Sequence, residues 1–132
     1  MSEGLNVVKQ VYASFSAQDT DAARSLLAEN VQWIQCKGFP EGGIHVGREA
    51  VIDKVLHGLH TEWNSFSAKM DEVIDADDHI VVLGTYTGVH SVTGKPMEAV
   101  FAHVFDVHDG QVTRFRQYAD TFPMHAAMEL YD

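Results

Sequence analysis

Residues 101–123 read FAHVFDVHDGQVTRFRQYADTFP, and this stretch carries the clearest structural signal in the chain. Two runs of alternating apolar residues flank the turn His108-Asp109-Gly110-Gln111, where the Asp-Gly pair is a strong signal for a β-hairpin. Each run also contains a titratable group, His103 in the first and Asp120 near the end of the second. Either these groups are structural details of two buried strands, or they face each other across a pocket.

The rest of the second half has the same strand-like pattern. Alternation and turn residues predict strands at about 66–75, 79–91, 97–108 and 111–120. Because the turns between them are short, the four strands should form an antiparallel meander. A short final helix is predicted at about 122–130.

The first third of the chain is mostly helical. Apolar residues recur there at helical spacing, and Asp19 is a typical N-cap for the second helix. The predicted elements are a helix that includes Leu5 to Phe15, a second helix over 20–30, a strand over 31–36 and a third helix over 48–63. The sequence therefore predicts one α+β domain over residues 1–132, in which three N-terminal helices pack on a curved, mostly antiparallel sheet.

Composition limits the partners. A chain of 132 residues is long enough for one domain with its own core. A formal net charge of −10 repels nucleic acids and anionic membranes, so we expect neither as a partner. The single cysteine, Cys36, excludes an internal disulfide. Since no signal-peptide pattern and no apolar run of roughly 18 residues occurs, we expect a cytoplasmic protein.

Residues 97–107 bear on assembly, because both faces of this predicted strand are largely apolar. An antiparallel sheet with one face in water alternates more cleanly between apolar and polar residues. One face should pack on the helices. We expect the other face to be covered by a second copy of the chain, as a homodimer through the sheet.

The order of these elements resembles the nuclear transport factor 2-like (cone fold) superfamily, and above all its SnoaL-like, ketosteroid isomerase-related branch. The segments that carry the resemblance are FSAQDTDAARSLLAENVQW (15–33), GIHVGREAVIDKV (43–55), GTYTGVHSVTGKP (84–96) and FAHVFDVHDGQVTRFRQYAD (101–120). The resemblance implies a deep apolar pocket between the helices and the sheet, which would bind a hydrophobic small molecule. Its expected lining residues are Tyr12, Phe15, Trp33, Gln35, Val55, Leu59, Phe101 and Tyr118.

The resemblance also implies a reaction. SnoaL-like polyketide cyclases use an Asp at the end of the last strand to remove a carbon-bound proton, and a His on the preceding strand assists. Asp120 and His103 match these positions. An apolar pocket would raise the pKa of the carboxyl and make it a better base near neutral pH. The expected function is a cyclase or isomerase that needs no cofactor or metal.

Several alternatives remain open. In one alternative, Asp120 or Thr121 caps the final helix, and His103 is a core histidine with one hydrogen bond. For the protein as a whole there are two alternative functions: a non-catalytic binding module, or a structural dimer with an inert pocket. His57 and His60 have a helical spacing that suits two metal ligands, but the exposed face of that helix explains both, and no metal site is expected.

Two related reactions are not expected. Gln35 lies at about the position where ketosteroid isomerases have their general-base carboxylate, and an amide cannot take that proton. Phe101-Ala102-His103 replaces the Arg-x-Asp triplet that the limonene epoxide hydrolases need. The Asp and His pair of the cyclase branch is therefore the arrangement that this sequence retains.

Overall fold

The computed structural model describes residues 2–129. Its elements, in chain order, are α1 (Glu3–Ser16), α2 (Thr20–Leu26), β1 (Leu27–Gln35), β2 (Gly43–Val46), α3 (Arg48–Ala50), a π-helical stretch (Val51–Leu56), α4 (His57–Glu62), β3 (Trp63–Ala76), β4 (His79–His90), β5 (Pro96–His108), β6 (Gln111–Ala119) and α5 (Phe122–Ala127). In the described part of the chain, no helix is long and apolar enough to cross a membrane.

The strands form one sheet in the order β2-β1-β6-β5-β4-β3. The β1–β6 pair is parallel and the other pairs are antiparallel. The helices that precede β3 pack on one face of this sheet, and their apolar side chains form the core with that face. The predicted α+β fold is therefore confirmed: an N-terminal helical region covers a mixed sheet, and a short helix follows β6.

Local signals account for most element boundaries. Asp19 caps α2 as predicted, because its Oδ1 accepts a hydrogen bond from Ala22 N at 3.1 Å. The prediction was wrong at 27–30, where a helix was expected and β1 begins. Leu27 is fully buried and pairs with Val112 of β6, so tertiary pairing outweighs local helix propensity there.

Strand β2 was not predicted. It has only four residues, which are mostly exposed, and it follows a glycine-rich turn, so its sequence has no alternating pattern. It pairs with β1 from Gln32 opposite Val46 to Gln35 opposite Gly43. The predicted third helix is also not one regular α-helix, because Val51–Leu56 is π-helical. Such stretches are often found beside functional sites.

A β-bulge in β6 fixes which of its side chains face the helices. Val107 pairs with Val112 and Asp106 pairs with Arg114, so Thr113 is an extra residue in the strand. An inserted residue exchanges the two faces of everything that follows. Beyond the bulge Phe115 and Gln117 are buried on the inner face.

Tyr118 and Asp120 are exposed as a result of the same bulge. In a regular strand they would share the buried face of Val112, and the sequence predicts both of them at the pocket. Strand β5 has no such interruption on its inner face. There, alternate residues are buried as predicted, namely Met97, Ala99, Phe101, His103, Phe105 and Val107.

Candidate functional site: a cavity with a buried hydrogen-bond chain

A cavity lies between the helices and the inner face of the sheet. Its volume is about 70 Å³, which corresponds to roughly five waters, so a ligand that fits without movement of the walls must be compact. The walls are Val11, Tyr12, Phe15, Ser16, Trp33, Gln35, Val55, Leu56, Leu59, His60, Phe66, Ser67, Ala68, Tyr86, His103, Phe105 and Phe115.

Differences in exposure distinguish the mouth of the cavity from its floor. Ser16 at the end of α1 and Ser67 near the start of β3 are exposed, and Phe15, His60 and Phe66 beside them are partly buried. The floor is formed by buried side chains of β1, β4, β5 and β6, which are Trp33, Gln35, Tyr86, His103, Phe105 and Phe115. A ligand would therefore enter between α1, α4 and β3 and reach His103 last.

His103 forms hydrogen bonds through both ring nitrogens. Nδ1 lies 2.5 Å from the phenolic oxygen of Tyr12, and Nε2 lies 2.5 Å from that of Tyr86. The side chain is buried, and burial lowers the pKa of His103 well below its usual value. The imidazole is therefore neutral near pH 7 and carries a single ring proton.

Neighbouring groups fix the position of that proton. The backbone N–H of Cys36 donates to Oε1 of Gln117 at 3.1 Å, so the amide nitrogen of Gln117 is the atom that faces Tyr86, at 2.8 Å. Tyr86 accepts from Gln117 and must donate its own proton to Nε2 of His103. Nδ1 of His103 then bears the ring proton and donates it to Tyr12.

We use the term hydrogen-bond chain for this sequence of donors, which runs from Cys36 N through Gln117, Tyr86 and His103 to Tyr12. Because the Tyr12 oxygen accepts from His103, the Tyr12 hydroxyl still has a proton to donate, and residues 2–129 offer it no acceptor. Burial raises the pKa of both Tyr12 and Tyr86, so both remain protonated. The hydrogen-bond chain thus ends at the Tyr12 hydroxyl, a donor on the cavity wall.

Stacked aromatic side chains form part of the cavity wall and of the layer behind it. Phe101 stacks on His103 with ring centroids 3.9 Å apart, and Phe115 stacks on Trp33 at the same distance. Phe15 also stacks on Trp33, with ring centroids 5.5 Å apart. Stacked apolar walls with a partly buried hydrogen-bond donor among them suit a planar apolar ligand with an acceptor oxygen.

The structure brings most of the predicted site residues to the cavity. Tyr12, Phe15, Trp33, Gln35, Val55, Leu59 and His103 lie on its walls. Gln35 has its amide occupied, because Oε1 accepts from Trp33 Nε1 at 3.3 Å and Nε2 donates to Pro40 O at 3.2 Å. Gln35 therefore shapes the wall and has little capacity left for a ligand.

Three predicted residues do not line the cavity. Phe101 is buried behind His103. Tyr118 is 58% exposed, and Asp120 is exposed with Oδ1 accepting from Phe122 N at 3.1 Å. The predicted convergence of Asp120 and His103 on one pocket was wrong in geometry, because the bulge at Thr113 turns the end of β6 outward.

The sequence reasoning missed Gln117, and it predicted an exposed His60. Gln117, and not Asp120, lies opposite His103. Val112 and Phe115 are three residues apart and cannot share a face of a regular strand, which was a signal for the bulge. His60 lines the cavity, while His57 is exposed. Across residues 2–129, no three His, Cys, Asp or Glu side chains cluster in a way that could hold a metal ion.

The SnoaL-like domain family model matches residues 8–115 of the chain. The chain belongs to the SnoaL-like domain family. Among solved structures, an NTF2-like protein from Burkholderia thailandensis is 30% identical, with 97% of this chain and 98% of that chain covered and a TM-score of 0.89. The predicted resemblance is therefore confirmed. No curated protein matches this SnoaL-like chain.

Two other solved structures of the same fold have more informative names. TerC, co-crystallised with polyporic acid, is 25% identical, with 97% of this chain and 99% of that chain covered and a TM-score of 0.85. IdmH, a putative polyketide cyclase from Streptomyces antibioticus, is 19% identical, with 96% and 98% covered and a TM-score of 0.81. At that identity IdmH supports the shared fold alone.

Proposed function

We propose that the cavity binds a compact, planar, hydrophobic ketone, and that the protein catalyses loss of a proton from the carbon beside its carbonyl group. The observation that carries this proposal is the direction of the hydrogen-bond chain, which leaves the Tyr12 hydroxyl proton available in the cavity. The ligand carbonyl oxygen accepts that proton as a hydrogen bond.

The chemical reason is the charge that develops during such a reaction. Removal of the proton moves negative charge onto the carbonyl oxygen, and a fixed donor in an apolar site stabilises that charge without reorganisation. The Tyr12 oxygen accepts a hydrogen bond from neutral His103, and this polarises the Tyr12 hydroxyl and makes it a stronger donor. His103 acts through Tyr12 as a positioning residue.

One relative supports an organic small-molecule ligand for this cavity. TerC, which is 25% identical to this chain, was co-crystallised with polyporic acid.

A binding module is the second candidate, and one observation favours it. No Asp or Glu side chain from the described part of the chain lines the cavity. Removal of a proton therefore needs a base other than a carboxylate, and without one the cavity would hold its ligand unchanged. The binding module and the enzyme share the Tyr12 contact and differ only in turnover.

We also infer that the outer face of the sheet is covered by a second copy of the chain. Val100 is 62% exposed there, and it pairs with Thr85 of β4. Apolar outer positions nearby are Val81, Leu83, Ala102, Val104 and Tyr118, whereas Glu98 lies beside Val100 and Arg116 lies opposite Val104. A symmetric sheet-on-sheet contact would remove the apolar part of this surface from water.

The test measures, by NMR in D2O, the rate at which the protons on the carbon beside the carbonyl of 1-indanone exchange for deuterium. We expect the protein to accelerate exchange, and Tyr12→Phe to reduce that acceleration by roughly 100-fold. Tyr12→Phe removes one oxygen and keeps the ring. Ketone binding without any accelerated exchange would support the binding module, and an unchanged rate in Tyr12→Phe would contradict the role of Tyr12.

A further inference from the structure

The cavity has four titratable side chains on its walls, which are Tyr12, Tyr86, His103 and His60. Three of them cannot accept a proton near neutral pH. The two tyrosines are already protonated, and both ring nitrogens of His103 are engaged by these tyrosines. His60 is the remaining group, and the proposed function gives it no role.

The ring proton of neutral His60 has a defined position. Nε2 lies 3.0 Å from the carbonyl oxygen of Phe15, and a carbonyl can only accept, so Nε2 carries the hydrogen. Nδ1 is then left with a lone pair, and within the described chain no group donates to it. The His60 ring also meets Phe66 edge to face, with centroids 6.1 Å apart and planes at 83°.

The location of His60 suits proton transfer to and from water. It lies in α4 at the mouth of the cavity and is partly buried, unlike His103 on the floor. A base there borders the space that a ligand would occupy, and it can also exchange its proton with solvent. The bond from Nε2 to Phe15 links α4 to α1 and fixes the ring orientation.

We propose that Nδ1 of His60 is the general base of this cavity, an inference that rests on the proposed function. The C–H bond beside the ligand carbonyl breaks, and its electron pair forms the enolate double bond. The carbonyl oxygen takes the negative charge and keeps the hydrogen bond from Tyr12. The proton binds Nδ1 and gives an imidazolium, which retains its Nε2–H bond to Phe15 and later returns a proton to carbon or to water.

His57 provides a matched control. It lies one helical turn earlier, is exposed, and has Nε2 3.3 Å from the hydroxyl of Thr20. It does not line the cavity. A general effect of losing a histidine from α4 would appear in both variants, whereas a catalytic effect would appear only at His60.

The experiment measures deuterium exchange into 1-indanone, and separately the binding of 1-indanone by NMR titration. We expect His60→Ala to slow exchange by roughly 100-fold, in line with the loss of a general base, and to leave the Kd within about threefold. His57→Ala should match the wild type. Added imidazole should restore part of the His60→Ala rate, which a purely structural role would not allow. His60→Gln keeps an N–H donor for Phe15, and it should be equally slow.

Specific results overturn the inference. A normal rate in His60→Ala together with a slow Tyr12→Phe would reject His60 and keep the proposed function. A slow His60→Ala that binds poorly and is not restored by imidazole, together with a rate that recovers in His60→Gln, would show a structural role. Wild-type protein that binds 1-indanone without exchange would reject both the base and the enzyme, and failure to bind would reject the ligand class as well.

Discussion

His103 and Gln117 lie directly opposite each other on β5 and β6, and both hydrogen-bond the phenol of Tyr86. Gln117 donates to that phenol and His103 accepts from it, so the two residues define the direction of the whole hydrogen-bond chain. The donor at its end, Tyr12, follows from this pairing. The bulge in β6 turns Gln117 inward, and the hydrogen-bond chain that includes Gln117 leaves Tyr12 as a donor in the cavity.

Protonation of His103 should couple folding stability to pH. The pKa of His103 is well below its ordinary value in the folded state, so below pH 6.5 the unfolded chain binds a proton that the folded protein does not. The free energy of unfolding should therefore fall as pH falls, by about 1.4 kcal/mol per pH unit from this residue. Well above pH 6.5 His103 is neutral in both states and contributes no pH dependence.

Urea unfolding from pH 6.5 downward measures this slope in the wild type and in His103→Gln. The variant lacks the His103 imidazole. The difference between the two slopes therefore gives the contribution of His103 separately from that of the other seven histidines. Parallel slopes would mean that His103 titrates normally in the folded protein, contrary to the buried hydrogen-bond chain.

Asp120→Asn should leave the rate of 1-indanone exchange unchanged. The Asp120 side chain is exposed and accepts from Phe122 N, a bond that the Asn carbonyl oxygen also accepts. Asp120→Ala should lose that bond and cost about 1 kcal/mol of stability at the start of α5, again without slowing exchange. A large loss of exchange rate in Asp120→Asn would indicate that the Asp120 carboxylate is the general base. It would contradict the outward direction of the end of β6.

Gly84→Ala should destabilise the protein by about 1–3 kcal/mol. A Cβ atom at Gly84 would collide with the ring of Phe101, which supports His103, and with the carbonyl oxygen of Lys69. Gly58→Ala is the control, since its Cβ would meet only ordinary contacts and the residue lies within α4. Thermal unfolding should show a lower Tm for the first variant and an equal or higher Tm for the second.

Sedimentation should report a mass of about twice 14.7 kDa at micromolar concentration. Val100→Glu, on the apolar outer face, should shift the protein towards monomer because a charge would be buried in the contact. Val92→Glu changes an 86% exposed valine in the turn after β4 and should leave the mass unchanged. A monomeric wild type would reject the dimer.

The sequence predicted the fold well and the site only in part, and β6 explains the difference. Periodicity and the turn at Asp109-Gly110 located the last hairpin and the inner face of β5, including His103. The face of each β6 residue depends on one inserted residue, Thr113, and such a shift leaves composition and length almost unchanged. Asp120 was therefore expected inside, and Gln117 was overlooked.

His60 shows a second limit of the sequence. A helical wheel predicts which face of α4 is apolar, but it does not predict where a cavity replaces solid packing. His60 borders that apolar face and meets Phe15 of α1, a contact 45 residues away in sequence. The homodimer and the cytoplasmic location stay predictions.

The central claim is that the Tyr12 hydroxyl donates a hydrogen bond to the carbonyl oxygen of a ligand in the cavity. The most direct measurement is a thermodynamic cycle of binding constants, by NMR titration, for 1-indanone and indane with the wild type and Tyr12→Phe. The two ligands differ only in the carbonyl oxygen, and the two proteins only in the phenolic oxygen. The account predicts that the preference for 1-indanone over indane falls by roughly tenfold in Tyr12→Phe. An equal preference in both proteins would contradict it.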